Sequence, residues 1–165
     1  MDLQQLSVTA KALVAPGKGI LAADESDGTI KKRFDSINVE SSEQNRRNYR
    51  ELLFRTEGVA EYISGIILFD ETIRQSGAEG TSLVKVLLDQ GIIPGIKVDK
   101  GGQPLPGSPK EIVTNGLDGL TDRLDEYASL GARFTKWRGV ISIDDGIPTR
   151  HCIDTNAHAL ARFAA

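Results

Sequence analysis

A parallel α/β sheet is the fold class this sequence predicts, and three observations predict it. Short apolar runs alternate with amphipathic helical stretches. The runs begin roughly 30 to 45 residues apart, a spacing that suits successive βα units. Three of them finish on ionisable residues, at Asp24, at Lys97 and Asp99, and at Lys136 and Arg138. Parallel barrels and open doubly wound sheets both put active sites at the C-terminal ends of their strands, so either architecture fits.

Leu3, Leu6, Ala10, Leu13 and Val14 recur at helical spacing and predict a lead-in helix, with Pro16-Gly17 closing a helix-and-linker segment over residues 1–18. Residues 20–24 read as the first strand. Ser41-Ser42-Glu43 carries helix start signals, and Tyr49, Leu52, Leu53 and Phe54 continue that helix toward Gly58. Residues 63–69 are almost continuously apolar, as expected of a parallel strand covered on both faces. A helix over residues 82–90 stops at Gly91, and the third strand follows over residues 92–98. Residues 101–107 read as a turn-rich loop. Leu117, Leu120, Leu124, Tyr127 and Leu130 then outline a helix, and residues 132–140 the fourth strand. Asp144-Asp145-Gly146-Ile147-Pro148 breaks the chain, and Asp154 or Thr155 is placed to cap a last helix through Phe163. Residues 19–165 thus hold four βα units, and 165 residues suit one domain.

Apolar residues make up 39% and charged residues 26%, with a net charge of −3, which lacks the basic excess of a nucleic-acid binder. No apolar run nears the roughly 20 residues that a membrane span needs. The opening residues lack a secretory pattern, and Cys152 is the sole cysteine, so the expected compartment is the cytoplasm, or a plastid if a transit segment has been lost. His151, Cys152 and His158 lack the spacing and fourth ligand of a metal site, and no cofactor or metal is expected.

Alternation puts Ile20, Ala22 and Asp24 on one face of their strand, Ile93, Gly95, Lys97 and Asp99 on one face of theirs, and Ala132, Phe134, Lys136 and Arg138 on one face of the fourth. If these faces converge, three cations and one carboxylate form an anion-holding pocket. Neighbouring cations lower a lysine's pKa, and the neutral amine attacks carbonyl carbon. Asp24 then suits proton transfer, and the remaining cations suit phosphate. Spacing alone favours Lys136 as the nucleophile. Ser26-Asp27-Gly28-Thr29 fits a phosphate cradle or, more simply, a turn or helix entry, and Lys31-Lys32-Arg33 fits an anion contact or a solvated face. Trp137 alternates away from Lys136 and is expected to pack.

Several segments together are distinctive: Gly19-Ile20-Leu21-Ala22-Ala23-Asp24-Glu25-Ser26, Asn45-Arg46-Arg47 with Tyr49-Arg50, Ile67-Leu68-Phe69-Asp70-Glu71-Thr72, Gly95-Ile96-Lys97-Val98-Asp99-Lys100-Gly101, Gly116-Leu117-Asp118-Gly119-Leu120 and Lys136-Trp137-Arg138. In these, and in their order along the chain, the sequence resembles the N-terminal half of the class I fructose-bisphosphate aldolases. The resemblance implies the first half of one (β/α)₈ TIM barrel domain, residues 1–165. It implies reversible cleavage of fructose 1,6-bisphosphate to dihydroxyacetone phosphate and glyceraldehyde 3-phosphate, through a lysine Schiff base and without metal.

By resemblance, Asp24 serves proton transfer and C–C bond chemistry, and Lys136 shapes the carbinolamine and Schiff-base steps, which corrects its reading as the nucleophile. Lys97 positions substrate, Ser26, Thr29 and Arg33 contact substrate or phosphate, and Arg138 is an active-site arginine. Thr29 stands where the family often has serine. The family's Schiff-base lysine lies on its sixth strand, so it is expected beyond Ala165 and the chain by itself is expected to be inactive. A homo-oligomer, a tetramer in much of the family, is also implied. The alternative reading is a non-catalytic sugar-phosphate-binding module, or a half-barrel that closes by self-assembly, since four strands leave an open edge.

Overall fold

The computed structural model describes residues 3–165; Met1 and Asp2, the first two positions of the expected lead-in segment, lie outside the described residues. In chain order the first elements are α1 (Leu3–Leu13), β1 (Gly19–Ala23), α2 (Asp27–Asp35), α3 (Glu43–Phe54), α4 (Val59–Tyr62), β2 (Ile63–Leu68), α5 (Asp70–Ile73), α6 (Leu83–Leu88) and β3 (Ile93–Lys97). They are followed by β4 (Gly102–Leu105), β5 (Ser108–Thr114), α7 (Leu120–Ser129), β6 (Phe134–Lys136) and α8 (Arg150–Ala164). The chain divides into two units, one holding residues up to 97 with 126–135, the other holding residues 98–125 with 136–165.

The first unit is built on a four-stranded sheet of order β1-β2-β3-β6, whose β1–β2 and β2–β3 pairs are parallel. Ile66 and Leu68 of β2 and Ile96 of β3 are fully buried, as their continuous apolar runs require. Leu83, Val84, Val86 and Leu87 of α6 are buried as well, and Ser82 caps that helix by accepting the Lys85 N–H at 3.1 Å. Ser42 caps α3 in the same way through the Asn45 N–H. Two glycines seat β6. A Cβ on Gly95 would stand 2.3 Å from Cζ of Phe134, and one on Gly65 3.1 Å from its Cε1, so the ring occupies a notch that only glycine leaves open.

Three expectations are corrected. The fourth strand is three residues long, β6, rather than 132–140, so Ala132 and Arg138 lie outside it. The interval read as a loop contains β4 and joins β5 in an antiparallel hairpin. The last helix starts at Arg150 and is capped by Thr149, whose hydroxyl oxygen accepts the Cys152 N–H at 3.2 Å, rather than by Asp154 or Thr155. The helix entry read at Ser26-Asp27-Gly28-Thr29 is the start of α2, whose Ile30 and Phe34 are buried one turn apart. The lead-in helix is present as α1, but its apolar stripe is not core, since Leu3, Leu6 and Val14 are exposed. It docks through its last turn, where the Ser64 hydroxyl donates to the Leu13 carbonyl at 2.6 Å.

In the second unit α8 packs on the β4–β5 hairpin. Glu111 of β5, 2% exposed, accepts the Thr149 N–H at 2.7 Å and the Thr149 hydroxyl at 2.6 Å. Trp137 stacks on Phe163 at 5.2 Å, as its packing role predicts. The Thr149 hydroxyl first, with the Thr149 N–H assisting, holds the Glu111 carboxyl below the ordinary carboxylate range against the opposing effect of burial. A carboxylate depressed on folding contributes stability that is complete above its unfolded value, near 4.3, and is lost as pH falls through the folded value. The urea-midpoint advantage of the native chain over Glu111→Gln should therefore shrink from about pH 5 downward. A constant difference from pH 7 to pH 3.5 would contradict this account.

Candidate active site

The first unit contributes a charged strand end that the sheet register organises. Ala23 pairs with Leu68 and Leu68 with Ile96, so the next positions form the row Asp24, Phe69 and Lys97. Asp24 and Lys97 are thus flanking members of one row at the C-terminal edge of the sheet, about 10 Å apart at the backbone with β2 between them. In parallel strands, residues of one row lean to one face, which here is the face of Ile20 and Ala22 and of Ile93 and Gly95. Asp24 is 8% exposed and Lys97 half-buried.

The loop after β1 is held from behind. Arg50 of α3 is completely buried; its Nε donates to the Ala23 carbonyl at 3.1 Å, and its Nη2 donates to the Glu25 carbonyl at 2.8 Å and to Glu25 Oε2 at 3.3 Å. Burial pulls the Arg50 guanidinium below its ordinary pKa, with Glu25 and then Glu71 pulling the other way. Arg33 of α2 forms an ion pair with the other oxygen of Glu25, while its own side chain is 57% exposed. Glu25 therefore bridges a buried and an exposed arginine. Arg46, one helical turn before Arg50, donates from Nε to Glu71 Oε2 at 2.9 Å, and the Glu71 hydrogen bond raises its pKa. Ser26 precedes α2, and its hydroxyl lies 3.3 Å from that of Thr29 on the exposed first turn. Ser26, Thr29 and Arg33 thus sit together around α2, directly after Asp24.

The second unit holds Lys136 and Arg138. The Lys136 carbonyl accepts the Val98 N–H at 3.1 Å, and Arg138 follows two residues later, beyond the strand. Arg123 of α7 donates to the Val98 carbonyl at 3.0 Å and also to the Gly116 carbonyl. Gly116, at φ 133°, lets the backbone close on residues 98–100, where a Cβ would stand 3.0 Å from both Val98 O and Lys100 N. Among the described residues, no group of three His, Cys, Asp or Glu side chains is arranged to hold a metal, and no helix is long and apolar enough to cross a membrane.

Glu25, Arg50 and Arg123 are the supporting residues that the sequence reading left without a role. The signal for Arg50 was available, since Arg46, Arg50 and Phe54 share one face of α3 at four-residue spacing. Arg123 carried no such signal, because its partners are backbone carbonyls distant in sequence.

Known proteins match this chain along its length. The family described as fructose-bisphosphate aldolase class-I matches residues 5–165. A probable fructose-bisphosphate aldolase class 1 of Xanthomonas campestris pv. campestris is 61% identical over 165 residues, covering 100% of this chain and 49% of that protein. The cytosolic fructose-bisphosphate aldolase 4 of Arabidopsis thaliana is 55% identical over 97% of this chain and 41% of its own length. Fructose-bisphosphate aldolase from Plasmodium falciparum, solved in complex with TRAP and a small-molecule inhibitor, superposes with a TM-score of 0.95 at 52% identity over 98% of this chain and 47% of that one. The chain spans about half the length of the relatives it matches, and its four-stranded α/β fold is part of the aldolase TIM barrel. Register, strand-end charges and sequence agree: this chain belongs to the class I fructose-bisphosphate aldolase family.

Proposed function

We propose that this chain supplies the proton-transfer and phosphate-binding residues of a fructose-bisphosphate aldolase, as the N-terminal half of one barrel domain. The reaction is reversible cleavage of fructose 1,6-bisphosphate to dihydroxyacetone phosphate and glyceraldehyde 3-phosphate through a lysine Schiff base, with the amine supplied by residues that follow position 165. The observation that carries this reading is the Asp24–Lys97 row at the C-terminal edge of a parallel sheet, in a chain of this family. A carboxylate there suits proton transfer during C–C cleavage, and a lysine in the same row suits an anionic substrate. Lys136 serves the carbinolamine and Schiff-base steps. Ser26, Thr29, Arg33 and Arg138 contact substrate, arginine through its planar fork and the hydroxyls through hydrogen bonds. The cytosolic Arabidopsis relative supports a cytoplasmic location, and a homo-oligomer is the proposed assembly.

The test joins this chain to the C-terminal half of the Xanthomonas campestris relative and measures triose phosphate release from fructose 1,6-bisphosphate. Cleavage by the completed protein, with none from either half alone, is the expected result. Cleavage by this chain alone would refute the division of labour. Binding of sugar phosphate without cleavage by the completed protein would favour a non-catalytic module.

A further inference from the structure

Two buried polar side chains of the second unit have no part in the reading above. Asp99 is 8% exposed and Thr114 4%, and burying such groups is costly unless hydrogen bonds compensate. Both direct bonds to the same residue. Asp99 Oδ2 accepts the Arg138 N–H at 3.3 Å, while its Oδ1 accepts the Gly101 N–H at 3.2 Å. The Thr114 hydroxyl donates to the Arg138 carbonyl at 2.7 Å. Arg138 lies beyond the end of β6, so strand pairing does not set its backbone. Its amide and its carbonyl are instead gripped from two different segments, the turn after β3 and the last residue of β5. Thr114 is itself fixed in β5, and Asp99 sits between Val98, which Arg123 and Lys136 hold, and the tight approach of Gly116.

We propose that Asp99 and Thr114 are positioning residues that fix the backbone of Arg138, and through it the aim of the guanidinium at a substrate phosphate. The inference rests on the reading of Arg138 as a substrate contact. An arginine side chain carries its charge on a long flexible arm, so a small rotation at its own peptide groups swings the fork away from a bidentate geometry. Fixing both peptide groups removes that rotation before substrate arrives.

The experiment uses the full chain completed with the Xanthomonas campestris C-terminal half, and reads KM and kcat for fructose 1,6-bisphosphate in Thr114→Val, Thr114→Ser, Asp99→Asn and Arg138→Ala. Thr114→Val is nearly isosteric and removes only the hydroxyl. We expect it and Asp99→Asn each to raise KM roughly tenfold with kcat changed far less, since a displacement of about 1 Å can alter rates by up to 10²-fold. Thr114→Ser should restore the native KM. A merely structural role would lower thermal stability without separating KM from kcat, and that result would overturn the proposal. Inorganic phosphate titrated into the ¹⁵N-labelled full chain reads the same contact without turnover: weaker binding in Thr114→Val supports the proposal, and unchanged binding contradicts it. If Arg138→Ala leaves both KM and phosphate binding unchanged, the reading of Arg138 as a substrate contact fails. If Arg138→Ala weakens them and Thr114→Val does not, the positioning role alone fails.

Discussion

Replacing Arg50 by alanine is expected to destabilise the chain by about 3–5 kcal/mol, the cost typical of removing one partner from a buried ion pair. Arg50 is fully buried, and it satisfies two backbone carbonyls of the loop after β1 as well as the Glu25 carboxylate. Alanine would leave these acceptors in a cavity the size of a guanidinium, with the buried Glu25 carboxylate losing Arg50 and keeping its bond to Arg33. Arg33→Ala, whose side chain is 57% exposed, should cost no more than about 1 kcal/mol, because solvent screens its attraction to Glu25. Adding Glu25→Gln to Arg50→Ala should recover part of the loss, since the stranded charge is then gone. Urea unfolding of the four proteins measures all of this. Equal costs for Arg33→Ala and Arg50→Ala would show that the buried network does not hold the loop.

Asp24→Ala is expected to lower fructose 1,6-bisphosphate cleavage by the completed enzyme roughly 10²–10⁴-fold, the range for a lost general acid or base. Asp24→Asn should do the same while keeping the side-chain shape. Asp24 and Glu25 are adjacent carboxylates with different duties. Glu25 bridges Arg50 and Arg33, so both of its carboxylate oxygens are engaged in holding the loop. Asp24 alternates to the face shared with Lys97, and the proposed proton-transfer role rests on that placement. Steady-state rates alongside circular dichroism separate chemistry from misfolding. A loss below tenfold in a folded Asp24→Asn enzyme would remove Asp24 from the proton-transfer role.

The strands buried on both faces were the most legible elements. Residues 63–69 and 92–98 are apolar runs long enough to imply β2 and β3 within a residue at each end. The fourth strand was read too long because Ala132 before it and Arg138 after it keep the alternation of Phe134 and Lys136; side-chain bonds to Asp99 and Thr114 hold Arg138 instead. The β4–β5 hairpin was hidden by Pro104 and Pro106 in the turn-rich run 101–107, which the two-stranded ribbon accommodates. Beyond the entry read at Ser26-Asp27-Gly28-Thr29, helix α2 was hidden because its buried apolar face consists of Ile30 and Phe34, too little to register as a period.

At the site, charge at a strand end singled out Asp24 and Lys97, and register places both in one row. The same rule, taken alone, reads Lys136 as a nucleophile. An amine at a strand end has the right chemistry for a nucleophile, and only the family resemblance assigned it a supporting role. Of the arginines that hold the site's backbone, Arg50 was legible in the four-residue spacing of α3, whereas Arg123 was not, since a donor to a distant carbonyl leaves no mark in periodicity or spacing.

The central claim is that this chain furnishes acid–base and phosphate-binding groups while the covalent amine comes from residues that follow it. Borohydride trapping of the completed enzyme with dihydroxyacetone phosphate, followed by peptide mass spectrometry, tests it most directly. The account predicts one stoichiometric adduct on a lysine in the C-terminal half and none within residues 1–165. A stoichiometric adduct on Lys136 or Lys97 would contradict it.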